Sequence, residues 1–493
     1  MNKYFKKVAA FAAMAILITF GSCSSEFLET VPSDAVSDVS ATDTGENLML
    51  IVNGMHRNLY VRQGGQGYSG IGGQMMIQDS YGEDLVHTAV GLNWHIDAVR
   101  WQTQANETSF TVEYPYAFYY QLIRNANTII VEGQNAGGDQ TIKNKAIGEA
   151  YAYRGFLYHQ LVQLYGKRYV AGGNNSQLGV PLVLDLDLAP KARATVEEVY
   201  TQINSDLEQA YTLLNGKTRA AKSHFDGSVV NGLRARVALT QGRWAEAAQY
   251  ANAARTGFPL MSNASYKAGF TTHNDEWMWA SIIVADQTDY FGNFAAYMSR
   301  NYNSSTIRLA PKAMSQTLFA SFPATDVRTQ VVDPTGLHTS LGLPSNFVKK
   351  PYTSQKFLAV SVSDSRSDVP LMRSAEMYLI EAEALARAGN EAGSKAVFNV
   401  LEKNRNPAYA GATTTGAAYI DEILRSRRIE LWGEGFRFFD LKRLNQGLDR
   451  NGSNHVPTVI NNVYTVPADD LRWEYLIPRD EINANPLIEQ NPT

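Results

Sequence analysis

The segment "RRIELWGEGFRFFDLKR", residues 427–443, interleaves acidic and basic side chains with four large aromatic ones. Two interpretations of this pattern compete. A pair of carboxylates in such surroundings can act as general acid and base, or as acid and nucleophile, on a bound substrate. The same residues can equally form a buried brace, in which each charge is neutralised by a partner of opposite sign.

The spacing of the charges favours the brace. On a continuous helix Glu430 and Glu434 share one face, so both would lie on one wall of a cleft rather than on either side of a scissile bond. Arg427 lies three residues before Glu430 and Arg437 three after Glu434, a spacing suited to ion pairs. The neighbouring leucines and aromatic rings indicate a packed face. We therefore predict a structural brace made of Arg427, Glu430, Glu434, Arg437 and Asp440.

Length and charge exclude some classes of protein. The chain has 493 residues, of which 44% are hydrophobic and 19% charged, so it is globular and long enough for a large composite core. Its formal net charge is −4, and it becomes −7 if Lys3, Lys6 and Lys7 are removed with a cleaved N-terminal segment. A mildly acidic chain without a long basic run is poorly suited to neutralising phosphates, so no nucleic-acid partner is expected.

The N-terminus has the layout of a secretory signal. A basic start is followed by an apolar run over residues 8–20, two small residues and Cys23, the only cysteine of the chain. The segment resembles a bacterial lipoprotein signal, so we interpret residues 1–22 as a signal peptide and Cys23 as the lipidated N-terminus. The alternative is an ordinary secretory signal. The polar residues 23–45 are interpreted as a tether that leads into the first helix.

Helix pairs dominate the rest of the chain. Residues 229–257 and 374–406 each have two stretches of helical periodicity, broken at Gln241-Gly242 and at Gly389-Asn390, with alanines where the helices would touch. This arrangement is typical of tetratricopeptide-type hairpins. Helical periodicity also covers residues 143–166. A further helix is predicted to begin after Thr195, a suitable N-cap before a Glu-rich first turn.

We therefore predict a mostly α fold, a single domain over residues 46–493 with long irregular loops and a few short strands. The predicted divisions are a helical scaffold over 46–260 and 370–445, a loop-rich insertion over 260–370 and a C-terminal segment over 446–493. Within the insertion, "EWMWASIIVA" (276–285) favours a strand whose Trp277 and Trp279 share one side and pack in the core. The Gly-rich stretch 62–74 is interpreted as a loop.

Motifs of metal or nucleophilic catalysis are sparse. The eight histidines are scattered without His-Glu-x-x-His spacing, and no Gly-x-Ser-x-Gly motif occurs, so neither a metal nor a cofactor is expected. Carboxylates remain as the enzyme chemistry to consider. If the chain is an enzyme, the hypothesis is a helical glycoside hydrolase or lyase that uses Glu430 and Glu434. We keep this enzyme as the alternative function.

Several segments together resemble the SusD/RagB family of Bacteroidetes outer-membrane lipoproteins. The segment 427–443 is similar to the family's Arg-x-x-Glu-Leu-x-x-Glu-Gly-x-Arg-x-x-Asp-Leu signature, and "TDVRTQ" stands where the family has Asp-Pro-Arg, with Val327 replacing the proline. Further similar blocks are "EFLETVPSDAVSD" after Cys23, "YPYAFYYQLIRNANTII" (114–130), "GEAYAYRGFLYHQLVQLYGKRYV" (148–170), "VPLMRSAEMYLIEAEALARAG" (369–389) and "LIPRDEINANPLIEQNP" (476–492).

The resemblance implies a glycan-binding protein rather than an enzyme. It implies a lipid anchor in the outer membrane, exposure on the cell surface and a partner, a SusC-like TonB-dependent transporter, that receives the captured oligosaccharide or polysaccharide. It also implies a mostly helical fold built on tetratricopeptide-like pairs, with the ligand site on long loops.

Aromatic residues in polar loops are the candidates for glycan contact. Sugars offer apolar C–H faces that stack on flat rings, while neighbouring amides and acids bind the hydroxyls. Two loops combine these residue types, "GLNWHIDAVRW" (91–101) and "ADQTDYFGNFAAYMSRNYN" (285–303). The alternative is that these rings pack the loops onto the scaffold. The candidate ligand-binding residues are Asn93, Trp94, Asp289, Tyr290, Phe291, Asn293 and Tyr297.

Overall fold

The computed structural model describes residues 41–493. The predicted signal peptide, Cys23 and most of the predicted tether lie outside the described residues. The described part is mostly α-helical, as predicted. In chain order its α-helices are α1 (Gly45–Asn58), α2 (Gly70–Ser80), α3 (Ile96–Val99), α4 (Phe110–Glu132), α5 (Gln140–Tyr165), α6 (Val196–Leu214), α7 (Gly227–Gln241), α8 (Trp244–Arg255), α9 (Asn263–Lys267), α10 (Ala295–Met298), α11 (Ser305–Leu309), α12 (Gln316–Ala320), α13 (Val327–Gln330), α14 (Ser374–Arg387), α15 (Glu391–Arg405), α16 (Gly416–Glu430), α17 (Arg437–Arg443), α18 (Pro457–Ile460) and α19 (Arg479–Ala484).

The long helices form one array in which each packs against the next. Helix α5 packs between α4 and α6, α6 packs on α7, and α7 and α8 form a hairpin whose second helix packs on α14. Helix α14 forms the second hairpin with α15 and also contacts α16. Both predicted hairpins are confirmed. Gly242, which separates α7 from α8, has the left-handed conformation that lets the chain reverse there.

Local signals set the ends and faces of these helices as predicted. The Thr195 side chain accepts a hydrogen bond from the Glu198 amide while the Glu198 carboxylate binds the Thr195 amide, which completes a capping box for α6. The apolar stripe of α6 is buried along its whole length: Val199, Ile203, Leu207, Ala210 and Leu214.

Close contact between α5 and α6 depends on a glycine. A Cβ atom at Gly148 would lie 2.8 Å from Leu214 Cγ and 2.9 Å from Leu213 Cβ. We expect Gly148→Ala to lower the free energy of unfolding by about 1–2 kcal/mol, because the overpacking exceeds the gain of up to ~1 kcal/mol from alanine's helix propensity. Denaturant unfolding of the purified variant measures the change.

The matched control is Gly54→Ala in α1. Gly54 is exposed and a Cβ there meets nothing within 4 Å, so this variant should be more stable than the wild type by about 0.5–1 kcal/mol. Equal stabilisation by both substitutions would show that α5 and α6 are not held at this distance.

The strands are short and pair across long stretches of sequence. The strands are β1 (Leu85–His87), β2 (Leu178–Pro181), β3 (Arg193–Thr195), β4 (Trp277–Ser281), β5 (Lys312–Met314), β6 (Val332–Asp333), β7 (Thr353–Ser354), β8 (Val369–Arg373), β9 (Leu448–Asp449) and β10 (Thr465–Val466). One four-stranded sheet has the order β1-β5-β7-β6, and the remaining strands pair as β2 with β3, β4 with β8 and β9 with β10, all antiparallel.

The predicted strand near Trp277 is confirmed as β4, and both of its tryptophans are buried in the core. Its partner β8 is buried at all five positions and runs directly into α14. The Gly-rich stretch is only partly a loop, because α2 begins at Gly70 and all eleven of its residues are buried. Within residues 41–493, no helix combines the length and apolarity needed to span a bilayer.

Candidate ligand-binding site

The two glutamates of the segment 427–443 lie in a buried set of ion pairs. We call this set the central ion network and define it as Glu276, Lys356, Arg373, Arg405, Glu430 and Glu434. The guanidinium group of Arg373 lies 2.5 Å from Glu276, 2.9 Å from Glu430 and 2.6 Å from Glu434. Arg405 contacts Glu276 at 2.8 Å and Glu430 at 3.1 Å, and Lys356 Nζ lies 2.7 Å from Glu434.

These pairs keep both glutamates ionised. Burial alone raises the pKa of Glu430, but the guanidinium groups of Arg405, Arg373 and Arg328 outweigh burial and hold the pKa well below its ordinary value. Arg373 and Lys356 likewise lower the pKa of Glu434 against the effect of burial. A carboxyl group that cannot take up a proton near neutral pH cannot serve as a general acid.

The structure corrects the predicted geometry and pairing of this segment. Helix α16 ends at Glu430, so Glu434 lies in the following turn and not one helical turn further on. Gly433 and Gly435 adopt φ values of 80° and 83°, so the backbone that follows the helix is not helical. Arg427 pairs with Asp440 at 2.8 Å rather than with Glu430, and Arg437 pairs with Glu83 rather than with Glu434.

The two candidate loops meet at Tyr297. The Trp94 ring stacks on the Tyr297 ring with a centroid distance of 4.8 Å and an interplanar angle of 21°. The Tyr297 hydroxyl donates a hydrogen bond to Asn93 Oδ1. Trp94 is half-buried and packs on its inner side against hydrophobic residues of the core. The preceding Leu92 is 45% exposed and has a φ of 59°, a strained backbone conformation for a leucine.

Strand pairing places a buried cation beneath this stack. In the register of β1 and β5, His87 lies opposite Lys312. Lys312 Nζ lies 3.8 Å from the centroid of the Tyr297 ring and donates a hydrogen bond to the Ala310 carbonyl. His87 Nδ1 lies 2.9 Å from Asn93 Oδ1, so the polar groups behind Trp94 form one connected set.

The second candidate loop leads into the N-terminus of α10, the helix that contains Tyr297. The Asp289 carboxylate accepts hydrogen bonds from the amides of Phe291 and Gly292 and lies 3.1 Å from Arg62. The Asn293 side chain accepts from the Ala296 amide at the start of α10 and donates to Ser365. Tyr290 is half-buried and Phe291 is 64% exposed.

The structure thus separates the seven predicted residues by exposure. Trp94, Asp289, Tyr290, Phe291 and Asn293 keep some or much of their surface in solvent. Tyr297 was expected in an exposed loop, but it lies in α10 and is fully buried because Trp94 covers it. Asn93 is 9% exposed. We therefore correct the roles of Asn93 and Tyr297, which support the Trp94 ring from behind.

Lys312 makes the stability of this region depend on pH. Burial lowers the pKa of Lys312 to about 7, whereas an unfolded lysine titrates near 10.4. Between these values the unfolded chain binds the extra proton, so the free energy of unfolding rises with pH, by about 1 kcal/mol between pH 7 and pH 8.

We expect Lys312→Met to remove this rise. Denaturant unfolding of wild type and variant at pH 7, 8 and 9 measures the difference between them. Burial is the larger cause of the low pKa of His87 and of His95, and Lys312 the smaller one. Burial remains in the variant and keeps both histidines neutral over this pH range, so the difference isolates Lys312. A difference in stability that stays constant over this pH range would show that the folded-state pKa of Lys312 lies above it, close to the ordinary value of a lysine.

Sequence reasoning missed the residues that support the loops. Lys312 and His87 come from paired strands 225 positions apart in the β1–β5 register, and Arg62 and Ser365 come from two further loops. Their sequence surroundings contain no local signal of this role. The pairing of β1 with β5 is the observation that would have located Lys312.

Two family models match separate parts of the chain. The model described as the SusD family matches residues 339–493, and the model described as "Starch-binding associating with outer membrane" matches residues 33–239. A curated relative, SusD-like protein P38 of Formosa agariphila, is 24% identical over 430 residues, which are 76% of this chain and 78% of the relative.

Solved structures share the fold. A SusD-like carbohydrate binding protein from Bacteroides vulgatus superposes with a TM-score of 0.78 at 23% identity, covering 90% of this chain and 97% of that protein. A structure described as a laminarin binding SusD-like protein superposes with a TM-score of 0.70 at 18% identity, covering 91% of this chain and 99% of that protein.

Proposed function

Because the chain belongs to the SusD/RagB family, we propose that it is a surface-exposed, glycan-binding lipoprotein of the outer membrane. In this proposal Cys23 carries the lipid anchor. The protein captures an oligosaccharide or polysaccharide and delivers it to a partner SusC-like TonB-dependent transporter.

The main observation in favour of this function is that the ring of Trp94 is half-exposed and stacks on Tyr297. A flat ring held in place from behind can stack on the C–H face of a sugar without losing side-chain freedom on binding. Tyr297 stacks on one face of Trp94, and Asn93 fixes the Tyr297 hydroxyl. The exposed Phe291 and the polar Asp289 on the second loop provide a further ring and an acceptor for sugar hydroxyls.

The names of similar proteins agree with a carbohydrate ligand. One structural neighbour is described as carbohydrate binding, another as laminarin binding, and one family model as starch-binding. The identities to these solved structures are too low to transfer a particular sugar. The proposal therefore specifies glycans as the ligand class and leaves the linkage to experiment.

The alternative, a glycoside hydrolase or lyase that uses Glu430 and Glu434, has little support from the geometry. Both carboxylates have side chains at most 3% exposed, and both bind Arg373. A hydrolase needs two carboxyl groups that flank an open cleft, one of them able to carry a proton. The central ion network meets neither requirement.

Calorimetric titration of the purified protein against a panel of plant, host and microbial glycans tests the proposal, with release of reducing ends followed in parallel. We expect saturable binding of at least one glycan class without turnover. Sustained release of reducing ends would favour the enzyme instead. Absence of binding across the panel would favour a scaffold that recognises only its transporter, which co-purification from solubilised outer membranes would detect.

A further inference from the structure

A histidine pair and a carboxylate converge away from the Trp94 loops. His56 comes from α1, Glu149 from the middle of α5 and His224 from the segment before α7. Within residues 41–493 this is the one group of three histidine, cysteine or acidic side chains whose ligand atoms all approach within 4.8 Å of one another. The sequence gives no hint of it, because the three residues are separated by 93 and 75 positions.

The distances are close to those of a metal site. His56 Nε2 lies 3.1 Å from His224 Nδ1 and 3.0 Å from Glu149 Oε2, and His224 Nδ1 lies 2.9 Å from Glu149 Oε1. Ligand atoms around a tetrahedral zinc ion with bonds of about 2.0–2.1 Å are roughly 3.3 Å apart. Expansion of the group by a few tenths of an ångström would therefore admit the ion.

No placement of hydrogen atoms on the two imidazoles makes all three contacts favourable hydrogen bonds. If both imidazole nitrogens carry a hydrogen to bind the Glu149 carboxylate, two N–H groups face each other across 3.1 Å. If one nitrogen is deprotonated to relieve this contact, a lone pair then faces the carboxylate. A cation bound to both nitrogens and to one carboxylate oxygen removes the conflict, because all three atoms then act as electron-pair donors.

Neighbouring groups hold the ligands in position by hydrogen bonds. The Tyr153 hydroxyl lies 2.5 Å from His56 Nδ1, which leaves Nε2 directed at the cluster. The Phe225 amide donates to Glu149 Oε2 and fixes the carboxylate.

One side of the cluster is open. His56 and His224 line a cavity of about 230 Å³ together with Tyr60, Ser223 and Gln287. This volume is ample for a water molecule and for a small oxygen ligand. Three protein ligands with a fourth position facing a cavity are the arrangement of zinc sites that keep an exchangeable water.

We propose that His56 Nε2, His224 Nδ1 and a Glu149 oxygen bind one Zn²⁺ ion, with water in the fourth position facing the cavity. The donor set favours a transition metal such as zinc over calcium and magnesium, since imidazole nitrogen binds transition metals while calcium and magnesium prefer oxygen ligands. The positive Arg219 near Glu149 is already paired with Asp226 at 3.1 Å. The proposal is independent of glycan binding.

Titration of tag-free, chelator-treated protein with ZnCl₂ in competition with a chromophoric chelator tests the site. We expect one tight equivalent of Zn²⁺ per chain, a rise in melting temperature with Zn²⁺, and neither effect with Ca²⁺ or Mg²⁺. Substitution of Zn²⁺ by Co²⁺ should give the visible absorption of four-coordinate cobalt. Glu149→Gln and His224→Gln should each weaken Zn²⁺ binding by roughly 10- to 100-fold or more.

The matched control is His273→Gln. His273 also contacts a carboxylate, Asp368 at 2.6 Å, but lies outside the cluster. This variant should keep the wild-type affinity for Zn²⁺. His224 is partly exposed, so His224→Gln should still fold even if loss of the buried Glu149 charge prevents folding. Failure of the wild type to take up one saturable equivalent, or an unchanged affinity in His224→Gln, would overturn the proposal.

Discussion

Replacing Arg373 with methionine is expected to lower the free energy of unfolding by about 3–5 kcal/mol, because it leaves one negative charge of the buried network uncompensated. Arg373 contacts three of them, Glu276, Glu430 and Glu434, and its side chain is fully buried. In the wild type the central ion network contains three cations and three anions. The variant keeps two cations, Lys356 and Arg405, against the same three anions.

Denaturant unfolding followed by circular dichroism measures this loss. The matched control is Arg472→Met, which removes an arginine paired with Asp470 at the surface, where the arginine side chain is 34% exposed. Surface pairs contribute about 0–1 kcal/mol, so the control should unfold almost as the wild type does. Similar stabilities of the two variants would contradict a bracing role for the network. If Arg373→Met does not accumulate folded, Arg373→Lys, which keeps the charge but not the bidentate geometry, should give an intermediate stability.

Replacing Trp94 with leucine is expected to weaken binding of the preferred glycan by roughly tenfold to a hundredfold, or about 1.4–2.7 kcal/mol. Leucine keeps an apolar side chain over Tyr297 but offers no flat face to a sugar ring. Trp94→Phe keeps a flat ring and should lose less affinity than Trp94→Leu. Calorimetric titration with a glycan that binds the wild type measures both variants.

The matched control for this experiment is Trp244→Leu. Trp244 is also half-buried, but it lies on α8 in the helical array, where it packs with Arg387. The control should bind glycan with wild-type affinity. Melting curves of all three variants establish that they are folded. Equal affinities of Trp94→Leu and wild type would remove Trp94 from the proposed site.

Features that depend on neighbours in sequence could be predicted from the sequence. The capping box of α6, the breaks at Gly242 and Gly389 and the burial of Trp277 follow from signals within a few residues. Each is set by local hydrogen bonding or by periodicity, which a single sequence contains.

Features that depend on partners distant in sequence could not be predicted from the sequence. Helical spacing suggested that Glu434 continues α16, but the helix ends at Glu430 and the turn that follows contains two glycines with positive φ. Arg373 and Lys356 supply the counter-charges of Glu434. Tyr297 was expected at the surface for a similar reason, since the residues that bury it, among them Trp94 and Lys312, are distant in sequence. The sequence around Arg373 does not indicate which carboxylates it contacts, and the sequence around Trp94 does not indicate that it packs on Tyr297.

The ion pairs that connect the two ends of the chain also constrain when the protein can fold. Arg428 binds Asp84 and Arg437 binds Glu83 across 344 and 354 residues, and Arg450 donates to the Gly82 carbonyl across 368. Contacts of such separation form only after a large loop closes, and they make folding slow. We expect a chain that crosses a membrane N-terminus first to remain incompletely folded until Arg450 has emerged.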